Sequence, residues 1–158
     1  LHRGFSLVEV MVVILIISCL VTVGVPTILR QQRRARAAAV YSDFRTFASA
    51  FDTYAQEFGA YPAEASVGRV PSGMAGRFNR TAWLRQTPVG GLYNWENNRL
   101  HFGVRYRAAI AISATAAAPL RIDAAQLNEI DRMMDDGNLM SGSFRVGSAI
   151  NPLFVVQP

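Results

Sequence analysis

Residues 3–30 read RGFSLVEVMVVILIISCLVTVGVPTILR, and within them Val10 to Val21 carries no charge at all. The span Phe5 to Val25 is twenty-one residues, about 30 Å of helix at roughly 1.5 Å per residue, which matches the hydrocarbon thickness of a bilayer. A secretory signal peptide would have a shorter apolar centre followed by a small-residue cleavage site. Here the run passes directly into the helix-compatible, arginine-rich stretch from Arg30, so it reads as a retained anchor.

Two residues are unusual for a plain anchor. Glu9 places a carboxylate just inside the apolar run. Such a group is either solvated at headgroup level or functional, and near a helix centre it costs about 2.5–3.5 kcal/mol on insertion scales. Pro26 removes a helical hydrogen bond and crowds the preceding turn; with Gly24 nearby it predicts a kink or a melted turn at the membrane exit.

Arg3-Gly4-Phe5-Ser6-Leu7-Val8-Glu9-Val10, followed by an unbroken apolar run, resembles the processing and methylation motif shared by type IV pilins and the pseudopilins of type II secretion systems. The resemblance covers about the first twenty-six residues. It implies a leader ending at Gly4 (residues 1–4), cleavage by a prepilin peptidase between Gly4 and Phe5, and N-methylation of Phe5. It also implies assembly roles for Phe5, Glu9 (the fifth mature residue) and Pro26 (the twenty-second). A chain opening on leucine implies upstream leader residues. Only Arg3 precedes the anchor, whereas Arg30, Arg33, Arg34 and Arg36 follow it closely. Counting basic residues would put the C-terminal side in the cytoplasm. The resemblance implies the reverse, a single-pass inner-membrane protein with its soluble part in the periplasm.

Working outward, residues 5–29 read as the membrane and assembly helix and residues 30–158 as a soluble domain. Arg30 to Phe58 contains neither glycine nor proline. Val40, Phe44, Phe47, Phe51, Tyr54 and Phe58 recur at spacings of 4, 3, 4, 3 and 4, one apolar stripe of a helix that packs into a core. Gly59 and Pro62 stop it. Continuous from Phe5, that helix would be about 80 Å long. Residues 59–99 carry repeated Gly and Pro without a period, which predicts an irregular connection. Within them Gly90-Gly91-Leu92-Tyr93-Asn94-Trp95 resembles a glycine- and tryptophan-bearing segment of major pseudopilins. From Leu100 to Ile112 apolar and polar residues alternate as in a half-buried strand, bent into two, with His101 on the exposed side. Asp123-Ala124-Ala125-Gln126 is a capping box ahead of Leu127, Ile130, Met133 and Met134, and Gly137 fits the C-cap. Ser143–Gly147 and Leu153–Gln157 are two further strands. The expected class is α+β and pilin-like: a long N-terminal helix packed on a small antiparallel sheet of three or four strands, with a short inserted helix (sheet and helix together in 100–158).

The chemistry is sparse. All sixteen basic residues are arginine and the net charge is +5. From Gly59 onward ten arginines face seven acids, a solvated-surface balance that does not demand nucleic acid. The single cysteine, Cys19, lies in the apolar run and excludes an intrachain disulfide. With only His2 and His101, no histidine pair can build a site; no phosphate loop or nucleophile–base set is present, so no enzyme activity is expected. Asp135-Asp136-Gly137-Asn138 is the one candidate metal site: carboxylates and an amide in a turn ligate calcium, and the resemblance extends to major pseudopilins with a calcium site in their C-terminal region. Otherwise the segment is a solvated helix end.

The expected function is a structural subunit of a type II secretion pseudopilus or type IV pilus-like fibre. Its partners would be identical or related pilin subunits, the prepilin peptidase, and the inner-membrane assembly platform with its ATPase motor. The alternative is a DNA-binding uptake subunit, supported only by the arginine surplus; Arg30 to Arg36 serve lipid phosphates equally well.

Overall fold

The computed structural model describes residues 6–158. The first element, α1, runs Leu7–Phe58 as one α-helix of 52 residues. It continues through Pro26 without a melted turn, although the proline has no N–H to offer the carbonyl of Thr22. Of the kink or melted turn expected there, the melted turn is therefore corrected. Neighbouring turns of the helix hold on both sides of the lost bond. At the C-terminal end Gly59 adopts φ 73° and donates its N–H to the Ala55 carbonyl at 2.8 Å, a left-handed stop that glycine takes at no steric cost.

Two compact units divide at Ala35 and Arg36. In the first, every described side chain from Leu7 to Ala35 is exposed, save Gly24, which is half-buried. An 18-residue window has mean hydropathy 2.8 and none of it is buried. Such a surface is stable only in lipid or against other protein.

The second unit, Arg36–Pro158, has a dense core. Strands β1 (Leu92–His101), β2 (Val104–Ser113), β3 (Phe144–Val146) and β4 (Pro152–Gln157) form an antiparallel sheet in the order β1-β2-β4-β3. Helices α2 (Arg80–Leu84) and α3 (Ala124–Met134) complete the unit. Val40, Phe44, Phe47 and Phe51 of α1 are buried with Tyr93, Trp95, Ile110, Ile112, Trp83 and Phe144. Phe51 stacks on Trp95 with ring centroids 3.7 Å apart and planes at 6°. The stripe fades where the helix leaves the sheet: Tyr54 is half-buried and Phe58 is exposed.

Three expectations change. The irregular connection ends sooner than residue 99, because Leu92 to Arg99 pairs with Tyr106 to Ser113; buried Tyr93 and Trp95 alternate with Asn94 and Glu96, a period-2 pattern carried partly by polar residues. The cap of α3 is Asp135, not Gly137, which lies two residues further on at φ 82°. The N-terminal half of the box forms as expected, with the Gln126 N–H donating to Asp123 Oδ1 at 2.7 Å.

The third correction is His101, which is buried instead of solvent-facing. A straight strand would hold Glu96 and His101 about 16 Å apart at roughly 3.3 Å per residue. Their side chains meet at 2.5 Å, so β1 bends sharply. Asn98, at φ 58°, lies between them, and the β2–β4 register shifts at Ala108/Ala109. The outer end of the β1–β2 hairpin thus returns over the sheet face away from α1. There Tyr106 packs with Ala109, Ala111, Leu153 and Val155.

Candidate functional site

Gly4 and Phe5, with the expected cleavage point, lie outside the described residues. Glu9 falls in the first turn of α1 and is exposed. Four N–H groups at a helix start lack intrahelical acceptors, and their partial positive charge favours a carboxylate there. Exposed apolar side chains surround it: Leu7, Val8, Val10, Met11, Val12 and Val13. This carboxylate therefore has a reason to be at that level of the helix and, in a dry setting, would need a cation from outside its own segment.

The second site is the turn after α3. Asp131, Asp135 and Asp136 bring carboxylate oxygens within 4.8 Å of one another. The two exposed acids are held by their own loop. Asp135 accepts from the Ser143 and Phe144 N–H groups. Asp136 accepts from the Asn138 N–H at 2.8 Å and the Ser141 hydroxyl at 2.7 Å; these donors, the hydroxyl foremost, hold its carboxyl below the usual carboxylate range. Asp131 differs. It is fully buried and both its oxygens lack a hydrogen-bond partner. Burial first, then the charges of Asp136 and Asp135, pushes its carboxyl above the usual range. Asp135 and Asp136 were legible in the sequence as candidates. Asp131 was not: one helical turn earlier it reads as an ordinary helix acid, and only burial distinguishes it.

A polar cleft of about 590 Å³ opens beside the end of α1, lined by Asp52, Tyr61, Asn97, Asn98, Arg107 and Gln157 among others. The Tyr61 hydroxyl donates to Asp52 at 2.8 Å. Burial chiefly, then that carboxylate, pushes the phenol up to about 12. The cleft's acid is thus already engaged, and its remaining lining offers amides and one guanidinium. No serine, cysteine or histidine is among these lining residues.

An apolar exposed helix with an acid in its first turn, continuous with a helix-on-antiparallel-sheet unit, is pilin-like in class. The prokaryotic N-terminal methylation motif matches over residues 1–25. The chain is similar to the type II secretion system core protein G of Pseudomonas aeruginosa, at 31% identity over 95 residues, 56% of this chain and 66% of that protein. It is 29% identical over 94 residues to the core protein G of Escherichia coli K12, 56% of this chain and 65% of that protein. With that of Pectobacterium carotovorum it shares 36% identity over 62 residues, 39% of this chain and 40% of that protein. The matched part thus spans 66% or less of these relatives' length. No solved structure matches.

Proposed function

We propose that this chain is a structural, non-catalytic subunit of a type II secretion pseudopilus, processed by a prepilin peptidase and drawn from the inner membrane into a fibre by a platform and its ATPase motor. The observation that carries the reading is a methylation motif at the head of a helix whose 18-residue apolar window is nowhere buried in the isolated chain. Lipid covers that surface before assembly, and neighbouring copies of the same helix cover it afterwards. Cleavage after Gly4 leaves a cationic amine on Phe5, four residues before Glu9. In a fibre each subunit then offers a carboxylate and an amine, and pairing Glu9 of one with the Phe5 amine of the next sets their axial register. The soluble unit lies in the periplasm in this reading. Intact-mass measurement of protein from the native host tests it. The expected first residue is methylated Phe5, and a mature N-terminus downstream of the apolar run would overturn it.

A second property, calcium binding, is favoured by one specific observation, the buried carboxylate of Asp131 with no partner. Asp131, Asp135 and Asp136 would hold the ion, as hard oxygen donors suited to calcium. Bound there, calcium supplies the positive charge that the buried acid lacks, and it ties the end of α3 to the start of β3.

A further inference from the structure

Glu96 and His101 form a buried polar pair on the sheet face away from α1. Asn94 Nδ2 donates to Glu96 Oε1 at 3.1 Å, and His101 Nε2 lies 2.5 Å from Glu96 Oε2. On the ring's other side the Ser148 N–H donates to Nδ1 at 3.0 Å. A nitrogen that accepts carries no proton, so the geometry assigns the neutral ring's single proton to Nε2, where it bonds Glu96. Gly147 leaves no room for a side chain against the ring: a Cβ there would lie 2.8 Å from His101 Nδ1.

The segment that this bond holds is strained. Ala149 and Ile150 both adopt positive φ, 61° and 60°, a conformation costly for a residue with a Cβ and more so for a β-branched one. Ile150 is 65% exposed, so little apolar burial offsets that cost. At Ser148–Ile150, the His101 contact is the polar tie to the rest of the sheet face among the described hydrogen bonds.

We propose that His101 is an acid-released latch for the segment Ser148–Ile150. A proton on Nδ1 turns that nitrogen from acceptor to donor and sets two N–H groups against each other, while Nε2–H keeps its bond to Glu96. The segment then leaves the ring and relaxes its left-handed residues, and the bent hairpin stays in place. The charged and titratable groups facing the ring are Glu96 on β1, Tyr106 on β2 and, through the Tyr106 hydroxyl, Arg145 on β3, 3.1 Å from that oxygen. The released form binds one proton more than the latched form, so release is favoured as pH falls, by up to about tenfold per pH unit. The latch does not depend on the fibre reading.

The test is hydrogen exchange followed by mass spectrometry on the full chain in detergent micelles, from about pH 7.5 to about pH 5, corrected for intrinsic rates. Protection of the peptide covering Gly147–Asn151 is expected to fall several-fold in acid while Asn94–Glu96 stays protected. His101→Gln keeps one amide donor and one acceptor without a titrating proton, and is expected to abolish the pH response. An unchanged wild type, a response that persists in His101→Gln, or loss of protection spreading equally through Asn94–Glu96 would each overturn the latch. Should His101→Gln fail to fold, nitrogen NMR of the wild-type imidazole decides. A proton on Nδ1 at neutral pH contradicts the proposal; a bare Nδ1 that gains its proton as the Ser148 amide shifts supports it.

Discussion

Two acids in this chain carry its most testable chemistry, and their environments separate them. Glu9 is exposed among apolar side chains in the first turn of α1. Glu9→Ala removes a charge from an exposed apolar helix, so membrane-fraction abundance is expected to hold or rise. Fibre yield is expected to collapse, because the Phe5 amine of a neighbour would be left without its partner; breaking one member of a buried pair costs about 3–5 kcal/mol. Normal fibre assembly by the variant would return Glu9 to a solvated interfacial carboxylate. Asp131 is the opposite case, an acid buried without any donor. Its raised folded-state range means that the folded chain binds more protons than the unfolded one. Its contribution is therefore favourable below the unfolded range near pH 4 and is lost as pH rises through the folded range. Calcium is expected to offset that loss and raise the melting temperature of the full chain near neutral pH by several degrees. At an ion concentration of about 100 Kd the stabilisation is about 2.7 kcal/mol. Asp131→Asn should stabilise the metal-free protein and remove the calcium response. A calcium shift unchanged in that variant would exclude Asp131 as a ligand. The sequence displayed both residues, yet it could not separate the Asp at the start of this cluster from any solvated helix acid, because burial is decided by how α3 sits on β3.

Among the elements, α1 was the most legible. The heptad-like spacing from Val40 to Phe51 is a local signal, and the core uses it as written. The β1 strand was less so: Leu92 to Arg99 places Asn94 and Glu96 on its second face, and a face of polar residues looks like loop until the hairpin end folds back and buries it. The same bend defeated the alternation argument at Leu100, Phe102 and Val104, which are exposed. Alternation predicts which residues share a face only while a strand stays straight, and Asn98 in the left-handed region ends that condition. The joint between the two legible pieces is Phe51 on Trp95. Trp95 also donates its indole N–H to the Pro62 carbonyl at 3.0 Å, so its ring cannot slide to fill a gap. Phe51→Ala is accordingly expected to cost about 3–5 kcal/mol, at the upper end if the cavity stays open. Urea unfolding of the full chain in micelles measures it; a loss below about 1 kcal/mol would mean that the ring is not part of the core.

At the scale of the whole chain, the division at Ala35 and Arg36 separates two kinds of surface. The first unit buries none of its 18-residue apolar window. The second contains every member of the main buried cluster, from Ala37 to Phe144, along with the ion pairs Arg85–Asp43 at 2.6 Å, Arg99–Glu64 at 2.7 Å and Arg77–Glu57 at 2.7 Å. Each of these pairs has a partner largely open to solvent and adds little; the aromatic core carries the stability. Fully buried large side chains lie in it, among them Trp83, Trp95, Tyr93, Phe44, Phe47 and Phe51, each worth about 1.5–3 kcal/mol when removed from water. Tyr93 keeps its hydroxyl satisfied on Asp43 at 2.8 Å, and burial, with that carboxylate, keeps the phenol protonated at any physiological pH. A chain beginning at Arg36 loses none of these contacts. It is expected to be soluble and to melt in one cooperative transition, with an unfolding enthalpy on the order of 80–90 kcal/mol near 60 °C. Circular dichroism and calorimetry check this together, since agreement between the calorimetric and van't Hoff enthalpies is the mark of a single cooperative unit. A broad, non-cooperative loss of signal with dye-accessible apolar surface would show that the α1 segment before Arg36 is needed to hold the core, and that the boundary lies nearer the N-terminus.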